Sequence, residues 1–207
     1  MKRPLLIIML VLVIDQALKI YIKTHFISGE EHRFASWFII HFTENNGMAF
    51  GMTFGGPYGK IFLSVFRIAA VTLIGYYLWT LVKRNAHKGL ISSFALIFAG
   101  ALGNIIDSAF YGMLFSTSDG VFEPAKFLPK EGGYAGFLHG KVVDMFYCHF
   151  SSLDGHFPKW FPLWGGEDFQ FFRPVFNVSD SAITVGVILI LMFQRKFYPK
   201  NTGELSQ

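Results

Sequence analysis

Four stretches of this chain are long and apolar enough to cross a lipid bilayer, and no other feature limits its fold as much. They cover about residues 4–22, 60–82, 90–111 and 175–193. A helical crossing needs ~20 such residues. Hydrocarbon offers no partner for backbone polar groups, so runs of this kind must be helices that satisfy themselves. Composition agrees: 52% of the 207 residues are hydrophobic and only 15% are charged, where about a quarter charged is usual for a soluble domain. Four spans and their connections use up the chain. The expected architecture is therefore one all-α integral membrane domain over residues 1–207.

The net charge of +4 is not a nucleic-acid footprint, because the basic residues sit at the edges of the apolar runs. Lys2 and Arg3 precede the first, Lys83, Arg84 and Lys88 separate the second from the third, and Arg195, Lys196 and Lys200 follow the fourth. By the positive-inside tendency both termini and the short middle loop face the cytoplasm, and loops 25–59 and 112–174 face outward. The basic start and the apolar run behind it imitate a secretory signal. No small-residue processing site follows, and the run continues through Asp15 to Ile22, so a retained span is expected. The single Cys148 cannot form an internal disulfide.

Polar residues within these runs carry the functional signal. Asp15 and Lys19 are four apart and share a helix face, with Lys19 able to snorkel to the outer surface. Arg67, inside the second run, needs a carboxylate or carbonyl partner. Gly100, Ala101 and Gly103 are small enough to let another helix approach the third run closely. Asn104 with Asp107, and Asn177 with Asp180, stand three apart near the outer ends of their runs. Pro174 suits the first turn of the fourth.

The outer loops have their own patterns. Residues 37–43, aromatic and β-branched, read as a strand. Asn46-Gly47 is a turn signal, and Met48, Phe50, Met52 and Phe54 alternate as in a second strand, giving a small outward-facing β-sheet. The long loop 112–174 divides into a glycine-rich excursion over 113–140 and an aromatic part suited to the outer leaflet surface, with short amphipathic helices. That aromatic part is expected to close over the outer-face site and exclude water.

Ionisable residues at membrane depth are functional candidates. Two facing carboxylates in a poorly hydrated site tend to share one proton, a state suited to peptide hydrolysis. Spacing alone does not choose that chemistry: a structural membrane protein or a proton-coupled carrier fits the same pattern. A metal site using His139, His149 or His156 has no H-E-x-x-H arrangement behind it. A serine nucleophile has no G-x-S-x-G.

Five short motifs in order resemble the lipoprotein signal peptidases (signal peptidase II), bacterial inner-membrane aspartyl proteases. They are Asp15-Gln16 with Lys19; Asn45-x-Gly47-x-Ala49-Phe50; Gly103-Asn104-x-x-Asp107; Val142-Val143-Asp144; and Phe176-Asn177-Val178-Ser179-Asp180. The resemblance implies removal of the signal peptide from prolipoproteins, N-terminal to a cysteine carrying diacylglycerol. It implies Asp144 and Asp180 as the catalytic pair, with Asn45, Gly47, Asn104, Asp107, Asn177, Asp15 and Lys19 in the supporting and substrate-binding shell. It implies no metal or organic cofactor, contact with membrane lipid, action as a monomer at the outer face of the cytoplasmic membrane, and inhibition by globomycin. Two positions depart from the family pattern: Ser108 stands where arginine is usual and Ser179 where alanine is usual. The outer loop is also longer than usual on both sides of Asp144. Arg67 is expected to supply the charge missing at Ser108 by pairing with Asp107.

Overall fold

The computed structural model describes residues 2–46, 56–150, 155–156, 168–169 and 174–198. Its helices are α1 (Lys2–His25), α2 (Gly56–Lys83), α3 (Lys88–Ile106), a single turn α4 (Gly112–Leu114) and α5 (Val178–Phe197). A π-helical turn, Asp107–Tyr111, joins α3 to α4. Among the described residues four helical segments are long and apolar enough to cross a membrane: Lys2–His25, Phe62–Lys83, Lys88–Leu114 and Val178–Phe197. Their outward faces carry large apolar side chains such as Leu6, Phe62, Leu73 and Met192, each more than 60% exposed. Faces of this kind are stable against lipid and not against water.

Helix α3 is central, and α5, α1 and α2 each pack on it. Small residues make the α3–α5 approach possible. A Cβ added at Gly100 would lie 2.2 Å from the Ser179 carbonyl oxygen, and one at Gly103 would lie 2.1 Å from the Ser179 hydroxyl. Without a hydrophobic drive between helices in lipid, this close packing is a main source of association. The sequence expectation for Gly100 and Gly103 is met.

A four-stranded antiparallel sheet sits beside the helix ends, in the order β1 (Glu31–Arg33), β2 (Phe38–Asn45), β3 (Val142–Cys148), β6 (Val175–Phe176). A separate two-stranded ribbon joins β4 (Gly155–His156) to β5 (Asp168–Phe169). The strand expected over 37–43 is β2. Its partner β3 comes from the middle of the second outer loop. Pairing runs from Phe38 opposite Cys148 to Asn45 opposite Val142, with a register shift between Ile40 and Thr43. Ile40 faces Phe146 but Thr43 faces Asp144, so β2 carries one extra residue, as a β-bulge does. One face of the sheet closes a core of Ile22, Ile40, Phe42, Tyr111, Phe115, Val143 and Met145. Strand alternation then turns Asp144, between Val143 and Met145, to the other face.

Three expectations need correction or fall outside the described residues. The fourth helix does not open at Pro174. That residue is exposed and precedes β6, which pairs with β3, and the helix begins only at Val178. Sheet pairing takes Val175 and Phe176 first, and Asn177 provides the cap. The second strand expected from Met48 to Phe54 lies outside the described residues, as does most of the aromatic stretch 157–171.

Gly103→Ala should force apart the α3–α5 contact. Overpacking of this kind costs roughly 1–3 kcal/mol, so the melting temperature in detergent should fall, and adding Ser179→Ala should restore part of the loss.

Candidate active site

The site is built from helix α1 outward. Asp15, Lys19 and Lys23 recur every four residues along one face, and all three are buried. A lone charge at this depth would be prohibitive, so each must be matched. Lys19 Nζ lies 2.9 Å from Asp15 Oδ2 and 2.7 Å from Asp107 Oδ2, and it donates to Asn104 Oδ1 at 2.9 Å. Lys19 therefore does not snorkel to the surface. Two carboxylates and an amide oxygen satisfy it inside the bundle.

Both carboxylates of this cluster also hold a backbone amide. Asp15 Oδ1 accepts from the Ser179 amide at 2.9 Å, placing a carboxylate on one of the unpaired N–H groups that begin α5. Asp107 Oδ1 accepts from Gln16 Nε2 at 2.9 Å, and its Oδ2 accepts from the Val143 amide at 3.3 Å. Asp107 thereby ties the end of α3 to the strand residue before Asp144. Buried Ser108 donates its hydroxyl back to Asn104 O at 3.1 Å. The cation on Asp107 is Lys19, not Arg67. Arg67, half-buried on α2, lies within the electrostatic reach of Asp180, Asp144 and Asp107.

The second half of the site is a net of amides around two carboxylates. Asn177 caps α5: its Oδ1 accepts from the Asp180 amide at 2.9 Å, while Asp180 Oδ2 accepts from the Asn177 amide at 3.2 Å. This reciprocal pair is a capping box, and it fixes the Asp180 carboxylate at a positive helix end. Asn177 Nδ2 also donates to Asp144 Oδ1 at 2.7 Å, with Val143 O and Asn104 Oδ1 each 3.2 Å away. Asn104 Nδ2 donates to Asp180 Oδ1 at 2.9 Å. Asn45, at the end of β2, donates to Asp144 Oδ2. One asparagine, Asn177, thus touches both carboxylates. Asp144 is 97% shielded from solvent, its exposure being 3%. Burial first, and the Asp180 charge second, push its carboxyl up to about 7, against the pull of the Asn177 amide, Lys19 and the Asn45 amide.

The structure brings together Asp15, Lys19, Asn45, Asn104, Asp107, Asp144, Asn177 and Asp180. Gly47 lies outside the described residues. Among the described residues no group of three His, Cys, Asp or Glu side chains is arranged to hold a metal ion. The sequence reading passed over Lys23, which pairs with Glu44 at 2.5 Å, although its spacing from Asp15 and Lys19 was a visible signal. From spacing it placed Asn177 and Asp180 three apart at the outer end of the fourth run without seeing a cap. The Asn-x-x-Asp spacing before an apolar run is a capping-box pattern.

Comparison with known proteins decides between the readings left open by geometry. The family model described as Signal peptidase (SPase) II matches residues 7–195. The chain belongs to the signal peptidase II family. It is 50% identical over 200 residues to a lipoprotein signal peptidase of Porphyromonas gingivalis (strain ATCC 33277), covering 96% of this chain and 84% of that protein. It is 36% identical to a lipoprotein signal peptidase of Amoebophilus asiaticus (strain 5a2), covering 91% of this chain and 76% of that one. A bacterial membrane enzyme solved by the in meso method at 2.3 Å shares the fold, with a TM-score of 0.62, 23% identity, and coverage of 100% of this chain and 96% of that one. This chain is accordingly a multi-pass membrane protease of the signal peptidase II type. Ser108, where the resemblance led to an expectation of arginine, folds its hydroxyl onto its own helix, and Lys19 pairs with Asp107.

Replacing Lys19 by methionine leaves Asp15 and Asp107 buried without a cation. Breaking a buried ion pair from one side costs about 3–5 kcal/mol. Lys19→Met should therefore lower folded yield and melting temperature in detergent far more than Asp144→Asn does.

Proposed function

We propose that this signal peptidase II family member uses Asp144 and Asp180 as an aspartyl pair to cleave prolipoproteins on the N-terminal side of a diacylglyceryl-modified cysteine. The observation that carries the reading is Asn177, whose side chain binds Asp144 while its backbone and side chain hold Asp180. Two carboxylates joined by one residue, one of them with its proton affinity raised by burial and by the other's charge, suit general acid–base hydrolysis. One carboxylate takes a proton from the attacking water. The other, protonated, donates to the oxygen of the scissile carbonyl, and a proton then passes to the leaving amine as the C–N bond breaks. The burial of Asp144 favours it as the proton carrier.

The rest of the cluster acts by position. Asn45 and Asn104 orient one carboxylate each, and preorganised donors of this kind lower the cost of charge development. Asp15, Lys19 and Asp107 are fully buried and engaged with one another, which supports a role in holding α5 and β3 in register. The basic residues at the helix ends support an orientation with both termini cytoplasmic and the aspartates towards the outer face of the bacterial cytoplasmic membrane. The same reading carries globomycin sensitivity, action as a monomer in contact with lipid, and no cofactor. A proton-coupled carrier would string its carboxylates along a path through the bilayer, whereas here Asp15, Asp107, Asp144 and Asp180 belong to one connected network.

Asp144→Asn and Asp180→Asn should each lower cleavage of acylated prolipoprotein by at least about 10²–10⁴-fold, the range of general acid–base contributions, with the protein still folded. Full activity in either variant would refute the pair. Activity should also fall as pH rises through about 7, because Asp144 then loses the proton that burial holds on it. The Asn45 amide favours the ionised form of Asp144, so Asn45→Ala should move this alkaline limb of kcat/KM to higher pH. A limb that stays in place or moves down would contradict the assignment.

A further inference from the structure

We propose that Lys23 and Glu44 are positioning residues for the cleavage: their buried ion pair anchors the end of β2 and so keeps the Asn45 amide on Asp144. The inference rests on the reading of Asp144 as one of the reacting carboxylates. It adds two residues that none of the five motifs contains.

The end of β2 needs an anchor. Asn45 is its last residue, and Thr43–Asn45 lies beyond the bulge that interrupts the ladder after Ile40. Strand β1 pairs with Ile39 to His41, so among the described residues β3 alone runs beside Thr43–Asn45. Strand ends with few partners open at the lowest free-energy cost. Yet the register here has to hold. Asn45 stands opposite Val142 and Asp144 opposite Thr43, so the amide reaches its carboxylate diagonally across the two strands.

Glu44 supplies the anchor from the other face. It stands opposite Val143, and alternation turns it with Phe42 and Val143 to the core side, while Asn45 turns to the side of Asp144. Its side chain is 2% exposed and meets Lys23 Nζ at 2.5 Å. A lysine two residues from the end of its helix would ordinarily snorkel to the surface. The Lys23 side chain is wholly buried instead. It donates to Ser118 Oγ at 2.9 Å, and its ammonium stands 5.6 Å from the centre of the Phe115 ring and 5.1 Å from that of Tyr134. Removing one partner leaves a buried charge short of compensation, so the ammonium fixes β2 and the outer excursion against α1. The charges that act on Asp144 come from Asp180 on α5, Lys19 on α1 and Arg67 on α2. Those around Lys23 are Glu44, Lys141 and Asp119. The route from Lys23 to Asp144 is thus the β2 backbone and the Asn45 side chain.

The test uses full-length Lys23→Met/Glu44→Leu in detergent, which replaces the pair by apolar groups and leaves no lone buried charge. Should that variant fail to fold, Glu44→Gln gives the same reading. Cleavage of acylated prolipoprotein is followed across pH. Because the Asn45 amide favours the ionised form of Asp144, the variant should move the alkaline limb of kcat/KM up by about half to one pH unit, the worth of one neutral hydrogen bond. Added to Asn45→Ala, it should move the limb no further. A crystal structure of the variant should show Asn45 Nδ2 drawn out of hydrogen-bonding reach of Asp144. A limb left in place with only the melting temperature lowered, a shift that adds in full to that of Asn45→Ala, or an Asn45 amide still on Asp144 would overturn the anchor. A wild type that does not cleave would count against the peptidase reading instead, and the crystal structure of the variant would then decide the anchor by itself.

Discussion

Burial of the α1 charges is the constraint on which the rest of the molecule depends. Asp15, Lys19 and Lys23 form a stripe that lipid cannot accept, so other elements must come to it. Asp15 draws in the start of α5, Lys19 draws in Asp107 and Asn104 from the end of α3, and Lys23 draws in Glu44 from β2 and Ser118 from the outer excursion. A buried ion pair is weak as a source of stability, because desolvation offsets most of its attraction. Its value here is in what it excludes. Any arrangement that leaves one of these charges unmatched is far higher in energy, so the cluster selects a single docking of α1, α3, α5 and the sheet.

That docking also sets the surroundings of the proposed catalytic pair. Asp144 comes from a strand, Asp180 from the first turn of a helix, and they meet because Asn177 and Asn104 knit the two elements together. Each carboxylate oxygen of the pair accepts from an amide. Such donors keep the carboxylates oriented without neutralising them, which cations placed as close would do. Of the nearby cations, Lys19 is engaged by Asp107 and Asp15, and Arg67 acts electrostatically on the pair from α2. The π-helical turn beginning at Asp107 belongs to the same design. Such turns recur at functional sites, and this one buries Asp107, Ser108 and Tyr111 where α3 meets the sheet.

The departures from the family pattern have local consequences that the packing absorbs. Ser108 spends its hydroxyl on its own helix. Ser179 is less comfortable. Its Oγ is buried and has no hydrogen-bond partner among the described residues, a condition that costs about 1–3 kcal/mol for such a group. Its backbone amide nevertheless holds the Asp15 carboxylate, a role that any residue except proline could fill there.

Much of this was legible in the chain itself. The four spans, the strand over residues 37–43 and the small residues of α3 follow from hydropathy, alternation and size, which are local properties. The five motifs named the family and nearly every member of the cluster. The sequence could not say which charge meets which. It offered Arg67 for Asp107 and sent Lys19 to the surface, because partners 85 to 95 residues apart, such as Lys19 with Asn104 or Gln16 with Tyr111, leave no local trace. Nor could it show that β2 pairs with β3, or that Val175 and Phe176 join the sheet before the last helix begins. Residue type determined that charges would be buried and had to be matched; only the tertiary structure, by bringing distant segments within hydrogen-bonding reach, decided the matches.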